Sequence, residues 1–147
     1  MLVINTNINS LTKKRFNLIL VIIWMTFIFA MSSFNSTESS SQSNFIVDIV
    51  SKILNIDNIE LLSLIIRKLA HFTEYFILGL FVYNLIYGYN KKKYVALIIC
   101  ILYAMSDEIH QLFVPGRSCQ MLDVCIDSIG SMLGIYLLSF IKNKDKI

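Results

Sequence analysis

Hydrophobic and polar positions separate along the chain into four long apolar segments joined by polar connections. The segments lie at about residues 16–34, 69–88, 94–113 and 121–141. Each is close to the roughly 20 residues that a helix needs to cross the hydrocarbon core of a bilayer. Helices are expected because lipid cannot satisfy the hydrogen bonds of an open backbone. We therefore predict an all-α fold, a small polytopic membrane bundle of four transmembrane helices in a single domain, residues 1–147.

The connection between the first two segments is long and divides into two parts. Its first part, SSFNSTESSSQS, is rich in serine and predicts an extended or mobile connection. Its second part, NFIVDIVSKILNI, spaces Phe45, Ile49, Ile53 and Ile56 at helical intervals. That spacing favours a short amphipathic helix on the outer membrane surface, and an ordinary packed connector explains it equally well.

Composition supports a membrane location. Hydrophobic residues make up 56% of the chain and charged residues only 16%, against about 25% charged residues in soluble domains. The net charge of +3 is too small to indicate a nucleic-acid partner. The three cysteines have no metal-ligand spacing. We therefore expect the lipid bilayer as a partner, and neither a metal nor another cofactor.

The basic residues outside the segments predict how the helices are oriented. Three precede the first segment, three lie between the second and third, and three follow the fourth. Four alternating spans place all of them on one side: Lys13, Lys14, Arg15, Lys91, Lys92, Lys93, Lys142, Lys144 and Lys146. We therefore expect a multi-pass protein of the plasma membrane with both termini in the cytoplasm. The first segment also resembles a signal peptide, but its length and Trp24 favour a retained helix.

The ionisable residues of the second segment fall at the end that this orientation places outside. At about 100° per residue, Lys68, His71 and Tyr75 share one helical face, and Glu74 lies off it. A charged side chain facing lipid costs roughly 2.5–3.5 kcal/mol at the bilayer centre. We therefore expect these side chains to face other helices.

The fourth segment carries a stripe of small and acidic residues. Asp123, Asp127, Gly130 and Gly134 follow one another at intervals of three or four residues. The two glycines form a small-xxx-small pair, which lets another helix approach closely. The stripe is therefore expected to pack inward and to carry both aspartates with it.

Together these faces predict a polar cleft that opens outward. Inward-facing basic residues would offset the carboxylates there, and intramembrane ionisable residues are candidates for function. An ion-pair network that only holds three helices together explains the same clustering. The candidate binding residues are Lys68, His71, Glu74, Tyr75, Asp107, Glu108, Gln111, Arg117, Asp123 and Asp127.

Three stretches, RKLAHFTEYFILG, SDEIHQLFVPGRS and LDVCIDSIGSMLG, resemble the VanZ-like family of bacterial membrane proteins in their order and spacing. The resemblance covers roughly residues 20–140. The family's motif positions fall on the candidate binding residues other than Asp127, and on Gly130 and Gly134. At Asp127 the family more often has Asn, so this chain carries an additional negative charge. The resemblance implies a protein of the cell envelope, since the name-giving member is associated with resistance to teicoplanin.

Two hypotheses for function follow. In the first, the cleft binds an anionic headgroup, such as a lipid-linked cell-wall or teichoic-acid precursor, and modulates teicoplanin susceptibility. Lys68 and Arg117 would then contact phosphate. In the second, a membrane-embedded enzyme acts on a lipid-linked envelope substrate, with Glu108 or Asp123 as general base and His71 as its acid–base partner. A transporter is disfavoured because no ionisable residue continues a path across the bilayer.

Overall fold

The computed structural model describes the backbone of residues 2–87 and 92–144, and the side chains of 11–35, 44–87 and 92–144. Lys91 and Lys146, two of the basic residues that predict orientation, lie outside the described residues. The described residues form five helices, which confirms the all-α prediction. They are α1 (Leu2–Ser32), α2 (Ser36–Leu54), α3 (Ile59–Leu85), α4 (Lys92–Gln111) and α5 (Met121–Lys144).

Four of these helices correspond to the four predicted segments, but α1, α3 and α4 end two or three residues before the predicted bounds, and α3 begins well before residue 69. Asn58 caps α3, and its side-chain oxygen accepts a hydrogen bond of 3.1 Å from the Leu61 N–H. Such a cap satisfies one of the free N–H groups at the start of a helix. The capped extension carries Arg67 and Lys68 on the same rigid helix as His71.

The serine-rich stretch is not an extended connection, because α2 begins at Ser36 and runs without interruption to Leu54. The prediction was wrong because tertiary packing outweighs weak local propensity. Helix α2 contacts α3, and Val47 is only 1% exposed. Asn55 follows α2 with φ 50°, a left-handed conformation that asparagine tolerates at a helix end.

The predicted amphipathic helix forms the second half of α2 but ends at Leu54, before Ile56, and most of its apolar face stays exposed. Phe45 is 73% exposed and Ile53 is 72% exposed, while Val47 on another face is buried. The side of α2 that packs in the protein therefore differs from the apolar side that the spacing identified.

Helix α3 is the centre of the bundle and contacts each of the other four helices. Its buried Tyr75, Leu78, Val82 and Tyr83 lie at the middle of the core and are its largest contribution from one helix. They pack with small residues of α4 and with α1 and α5: Val21, Ile28, Ala96, Cys100, Ala104 and Ile135. All three cysteines are free thiols.

The inward packing of the glycine stripe is confirmed. A Cβ atom added at Gly130 would lie 2.5 Å from the Phe72 carbonyl oxygen of α3, and one added at Gly134 would overlap the Phe76 carbonyl oxygen. On the α3 side, a Cβ atom at Gly79 would overlap the Ser131 carbonyl oxygen of α5. Glycine on both helices therefore brings the two backbones into contact.

Two of the described helical segments, Leu11–Ser32 and Met121–Lys144, are long and apolar enough to cross a membrane. Helices α3 and α4 do not meet that criterion, because the polar residues of the predicted cleft lie on them. Large apolar side chains are widely exposed, among them Phe16, Ile23 and Phe140. Soluble monomers rarely expose so much contiguous apolar surface.

Candidate functional site

Two adjoining cavities lie between the end of α1, the first half of α3, the end of α4 and the start of α5. Their volumes are about 70 and 80 Å³, and both are lined by Arg67, His71 and Arg117. Glu74 lines the first, and Lys68 and Asp123 line the second. We call this pair of cavities the polar cleft. Its further polar lining residues are Ser32, Gln111, Ser118 and Gln120.

A tight turn after α4 positions Arg117. The Arg117 N–H donates to the Val114 carbonyl oxygen at 3.1 Å, and Gly116 has φ 75°. Pro115 and Gly116 thus occupy the positions that they favour in a type II turn. The only proline of the chain therefore serves to reverse the backbone at the mouth of the cleft.

The Arg117 guanidinium connects the turn to the end of α4 and to the connection between α1 and α2. Its Nε donates to the Phe34 carbonyl oxygen at 3.1 Å, and another guanidinium nitrogen donates to Gln111 Oε1 at 3.3 Å. Burial lowers the pKa of Arg117, and the neighbouring charge of Arg67 lowers it further. Because an arginine pKa lies far above neutrality, the guanidinium stays charged. The cleft thus holds a fixed positive charge.

Lys68 joins α3 to the start of α5. Its ammonium group forms an ion pair with Asp123 and donates to Gln120 Oε1 at 3.1 Å. The Lys68 side chain is 26% exposed, so the ion pair lies at the mouth of the cleft. A phosphate at Lys68 would therefore share the ammonium group with Asp123.

Glu108, near the end of α4, attaches the start of α5 to α4 through a hydrogen bond. Its Oε2 accepts a hydrogen bond of 2.8 Å from the Gln120 N–H, directly before the first residue of α5. A carboxylate at this position also interacts favourably with the helix dipole. The other oxygen, Oε1, is buried and has no hydrogen-bond partner among the described residues.

Asp127 lies deepest of the acids on α5, with no exposed surface. Its Oδ1 is 3.9 Å from His71 Nδ1, which is too long for a direct hydrogen bond. Neither Asp127 oxygen has a hydrogen-bond partner in the part of the chain that the structure describes. The inward orientation predicted for Asp127 is confirmed, and its carboxyl group has no hydrogen-bond partner among the described residues.

The structure divides the candidate binding residues into two layers. Six line the polar cleft: Lys68, His71, Glu74, Gln111, Arg117 and Asp123. Four lie behind it without lining either cavity: Tyr75, Asp107, Glu108 and Asp127. Tyr75 is a fully buried core residue that packs beside the Tyr103 ring.

The three candidate catalytic residues are not joined to one another. Within the described residues, no hydrogen bond connects His71 with Glu108 or Asp123. General acid–base catalysis requires the base to lie within hydrogen-bond reach of the substrate proton, directly or through one water. Those same residues also include no group of three or more His, Cys, Asp or Glu side chains that could hold a metal ion.

Arg67 lines both cavities, but the sequence argument did not identify it. It lies four residues before His71 and seven before Glu74, a helical spacing that puts the three on one face of α3. That spacing was the available signal. Arg67 Nε is buried and has no hydrogen-bond partner among the described residues.

An apolar groove of about 750 Å³ lies between α1, α2 and α3 and adjoins the polar cleft. Ala70 and Glu74 line both the groove and the first cavity. Most of the groove is formed by large apolar side chains, including Trp24 and Phe27 of α1. Trp24 Nε1 donates to the Glu74 carbonyl oxygen at 2.9 Å, which fixes α1 against α3 at this point.

A helical bundle with exposed apolar helices and a buried polar cleft at one end has the features of a membrane-associated protein. The profile of the VanZ/LLP1 family matches residues 16–142, and the chain belongs to this family. The match includes α3, α4, all but the last two residues of α5, and every residue of the polar cleft. No curated protein and no solved structure gives a significant match to the chain.

Proposed function

We propose that the chain is a four-span protein of the bacterial plasma membrane with both termini in the cytoplasm. Support comes from the side chains of the basic clusters, which meet at the end of the bundle opposite the polar cleft. Lys13, Lys14 and Lys142 line one cavity there, and Lys92 lies over the nearby Tyr87 ring. Basic residues gather on the cytoplasmic side of membrane proteins. The polar cleft would then open outward.

The ligand that this cleft fits best is the anionic headgroup of a lipid-linked envelope precursor, of the cell-wall or teichoic-acid type. The observation that carries the proposal is the convergence of Arg67, Lys68 and Arg117 on two adjoining cavities. Guanidinium groups are suited to bidentate contacts with phosphate. Among the described residues, only Glu74 and Asp123 supply carboxylates to the cavity walls, so the basic lining residues outnumber the acidic ones there.

The apolar groove supports a lipid as the source of that headgroup. It begins where the polar cleft ends, at Ala70 and Glu74, so an amphipathic molecule could occupy both. The groove would accept the hydrocarbon tail while the cationic residues bind the phosphate. A free, water-soluble anion would make no use of the groove.

By binding such a precursor, the protein would alter how much glycopeptide target the envelope exposes, and so modulate teicoplanin susceptibility. The family to which the chain belongs takes its name from a protein associated with teicoplanin resistance. The test is teicoplanin susceptibility in a sensitive Gram-positive host that carries empty vector, wild type or Arg67→Gln. Lys52→Gln is the matched control, because it removes one positive charge from an exposed position on α2.

Wild type should raise resistance, Arg67→Gln should return it to the empty-vector value, and Lys52→Gln should leave it raised. Membrane levels of the three proteins must be equal. Resistance that Arg67→Gln retains in full would refute binding through the cleft. No rise with wild type would refute the antibiotic phenotype for this chain.

Glu108→Gln separates binding from catalysis in the same assay. Glutamine keeps an oxygen that can accept the Gln120 N–H, so the start of α5 stays attached to α4. A binding protein should therefore keep most of its effect in this variant. Complete loss at equal protein level would favour the enzyme instead.

A further inference from the structure

A second cavity lies at the other end of the bundle, and we call it the basal pocket. It has a volume of about 250 Å³ and is lined by Lys13, Lys14, Asn17, Asn84, Leu85, Tyr87 and Lys142. Arg67 and Asn84 are seventeen residues apart on α3, which corresponds to about 25 Å at 1.5 Å per residue. The basal pocket and the polar cleft are therefore separate sites.

The walls of the basal pocket are basic and amide-rich. Three lysines from two helices line it, and no acidic residue is among the described lining residues. Lys142 donates a hydrogen bond to Asn84 Oδ1 and lies 4.1 Å from the centre of the Tyr87 ring. Lys92 lies 4.0 Å from the same ring centre. Tyr87 thus holds two ammonium groups in place, since a cation above an aromatic face is attracted to it.

Lysine at this end of a membrane helix has an ordinary explanation. The positive-inside preference and the dipoles of helix C-termini both favour it without any ligand. Neither effect requires the lysines of different helices to converge on one cavity, where their charges repel. Lys93 and Lys144 show the ordinary arrangement, because each lies over a ring of α5 and neither lines the pocket.

We propose that the basal pocket binds a phosphate group, with Lys13 and Lys142 as its principal cationic contacts. An anion between these lysines would relieve their repulsion and accept charge-assisted hydrogen bonds from them. Basic pockets between membrane helices suit the headgroups of anionic lipids, and free phosphate carries the same chemistry. This site does not depend on the function proposed for the polar cleft.

The test measures binding to purified protein in neutral detergent by native mass spectrometry and thermal unfolding. The probes are phosphatidylglycerol, phosphatidylcholine as the neutral lipid, and inorganic phosphate. The double variant Lys13→Gln/Lys142→Gln removes the proposed contacts. The control Lys93→Gln/Lys144→Gln removes the same charge from the same end of the bundle but outside the pocket.

Wild type should bind phosphatidylglycerol in preference to phosphatidylcholine, and the pocket variant should lose at least about tenfold in affinity. The control should change affinity less than about twofold, because its lysines do not line the pocket. A lipid source predicts stabilisation by phosphatidylglycerol alone, and a free anion predicts stabilisation by inorganic phosphate as well. Equal losses of affinity in the two double variants would overturn the proposal. The proposal would also fail if neither phosphatidylglycerol nor inorganic phosphate bound or stabilised the protein more than phosphatidylcholine does.

Folding of the pocket variant is checked independently of binding. Without an anion, relief of the repulsion between two like charges should offset the lost contacts of Lys142 with Asn84 and Tyr87, so the unfolding temperature should stay close to that of wild type. Lys142→Arg, which keeps the charge, should retain binding. Loss of binding in Lys142→Arg together with a lowered unfolding temperature would assign Lys142 to packing and overturn its role as a phosphate contact.

Discussion

Replacing Gly134 with alanine should destabilise the bundle, although alanine is the better helix former. In a helix interior the change from glycine to alanine gains about 1 kcal/mol. The added Cβ atom, however, would overlap the Phe76 carbonyl oxygen of α3. Overpacking costs about 1–3 kcal/mol, and a backbone oxygen cannot rotate away as a side chain can. Taking the upper end of that range, the net loss is about 2 kcal/mol.

Thermal unfolding in detergent measures this loss. Trp24 is the only tryptophan and lies where α1 meets α3, so its fluorescence reports the tertiary packing of the bundle. At about 2–4 °C per kcal/mol for a chain of this size, the midpoint should fall by about 4–8 °C. All variants must be heated at one fixed rate, because unfolding of this kind is often irreversible.

Leu133→Ala is the matched control for Gly134→Ala. Leu133 is the preceding residue of α5 and is 46% exposed, so its truncation leaves the contact with α3 unchanged. Gly130→Ala repeats the experiment one turn earlier, against the Phe72 carbonyl oxygen. A midpoint that rises in Gly134→Ala would refute the reasoning, because helix propensity would then outweigh packing and the two backbones could not be in contact.

Two further predictions concern charge in and behind the polar cleft. Truncating Lys68 and Asp123 singly and together should give a coupling energy of about 1–2 kcal/mol in a double-mutant cycle, since their ion pair is half-buried; a coupling near zero would show that the pair contributes nothing. Asp127→Asn should raise the free energy of unfolding by up to about 1 kcal/mol, because asparagine keeps the shape of this fully buried side chain and cannot ionise. A lowered unfolding midpoint in that variant would show that the carboxyl makes a contact that asparagine does not replace.

Hydropathy located four of the five helices because apolar runs of span length leave few alternatives. The first and last residues of the helices were harder to predict where a capping residue or tertiary packing sets them. The start of α3 is set by the Asn58 cap, and Arg67 and Lys68 interrupt the apolar residues between that cap and residue 69. The start of α2 lies in a serine-rich stretch, whose composition gives no helical signal.

Helical spacing predicted which residues face inward, but not what each one contacts. Asp123, Asp127 and the two glycines of α5 face inward as their common stripe requires. The partner of Glu108 could not be predicted, because it is the backbone N–H of Gln120 and backbone groups leave no pattern in the sequence. Arg67 could have been found, since it shares a helical face with His71.

The depths of the ionisable residues in and behind the polar cleft help to decide whether these residues serve only to hold the helices together. Polar groups that serve stability should be best hydrogen-bonded where burial is greatest, because a buried polar group without a partner costs about 1–3 kcal/mol. In this bundle the more exposed ionisable groups are better paired than the more deeply buried ones. The Lys68–Asp123 ion pair lies at the mouth, while both oxygens of Asp127 and Oε1 of Glu108 lie deeper without hydrogen-bond partners among the described residues. Apolar side chains would join the helices at lower cost, so this arrangement favours a site that acts on a ligand over a purely structural network.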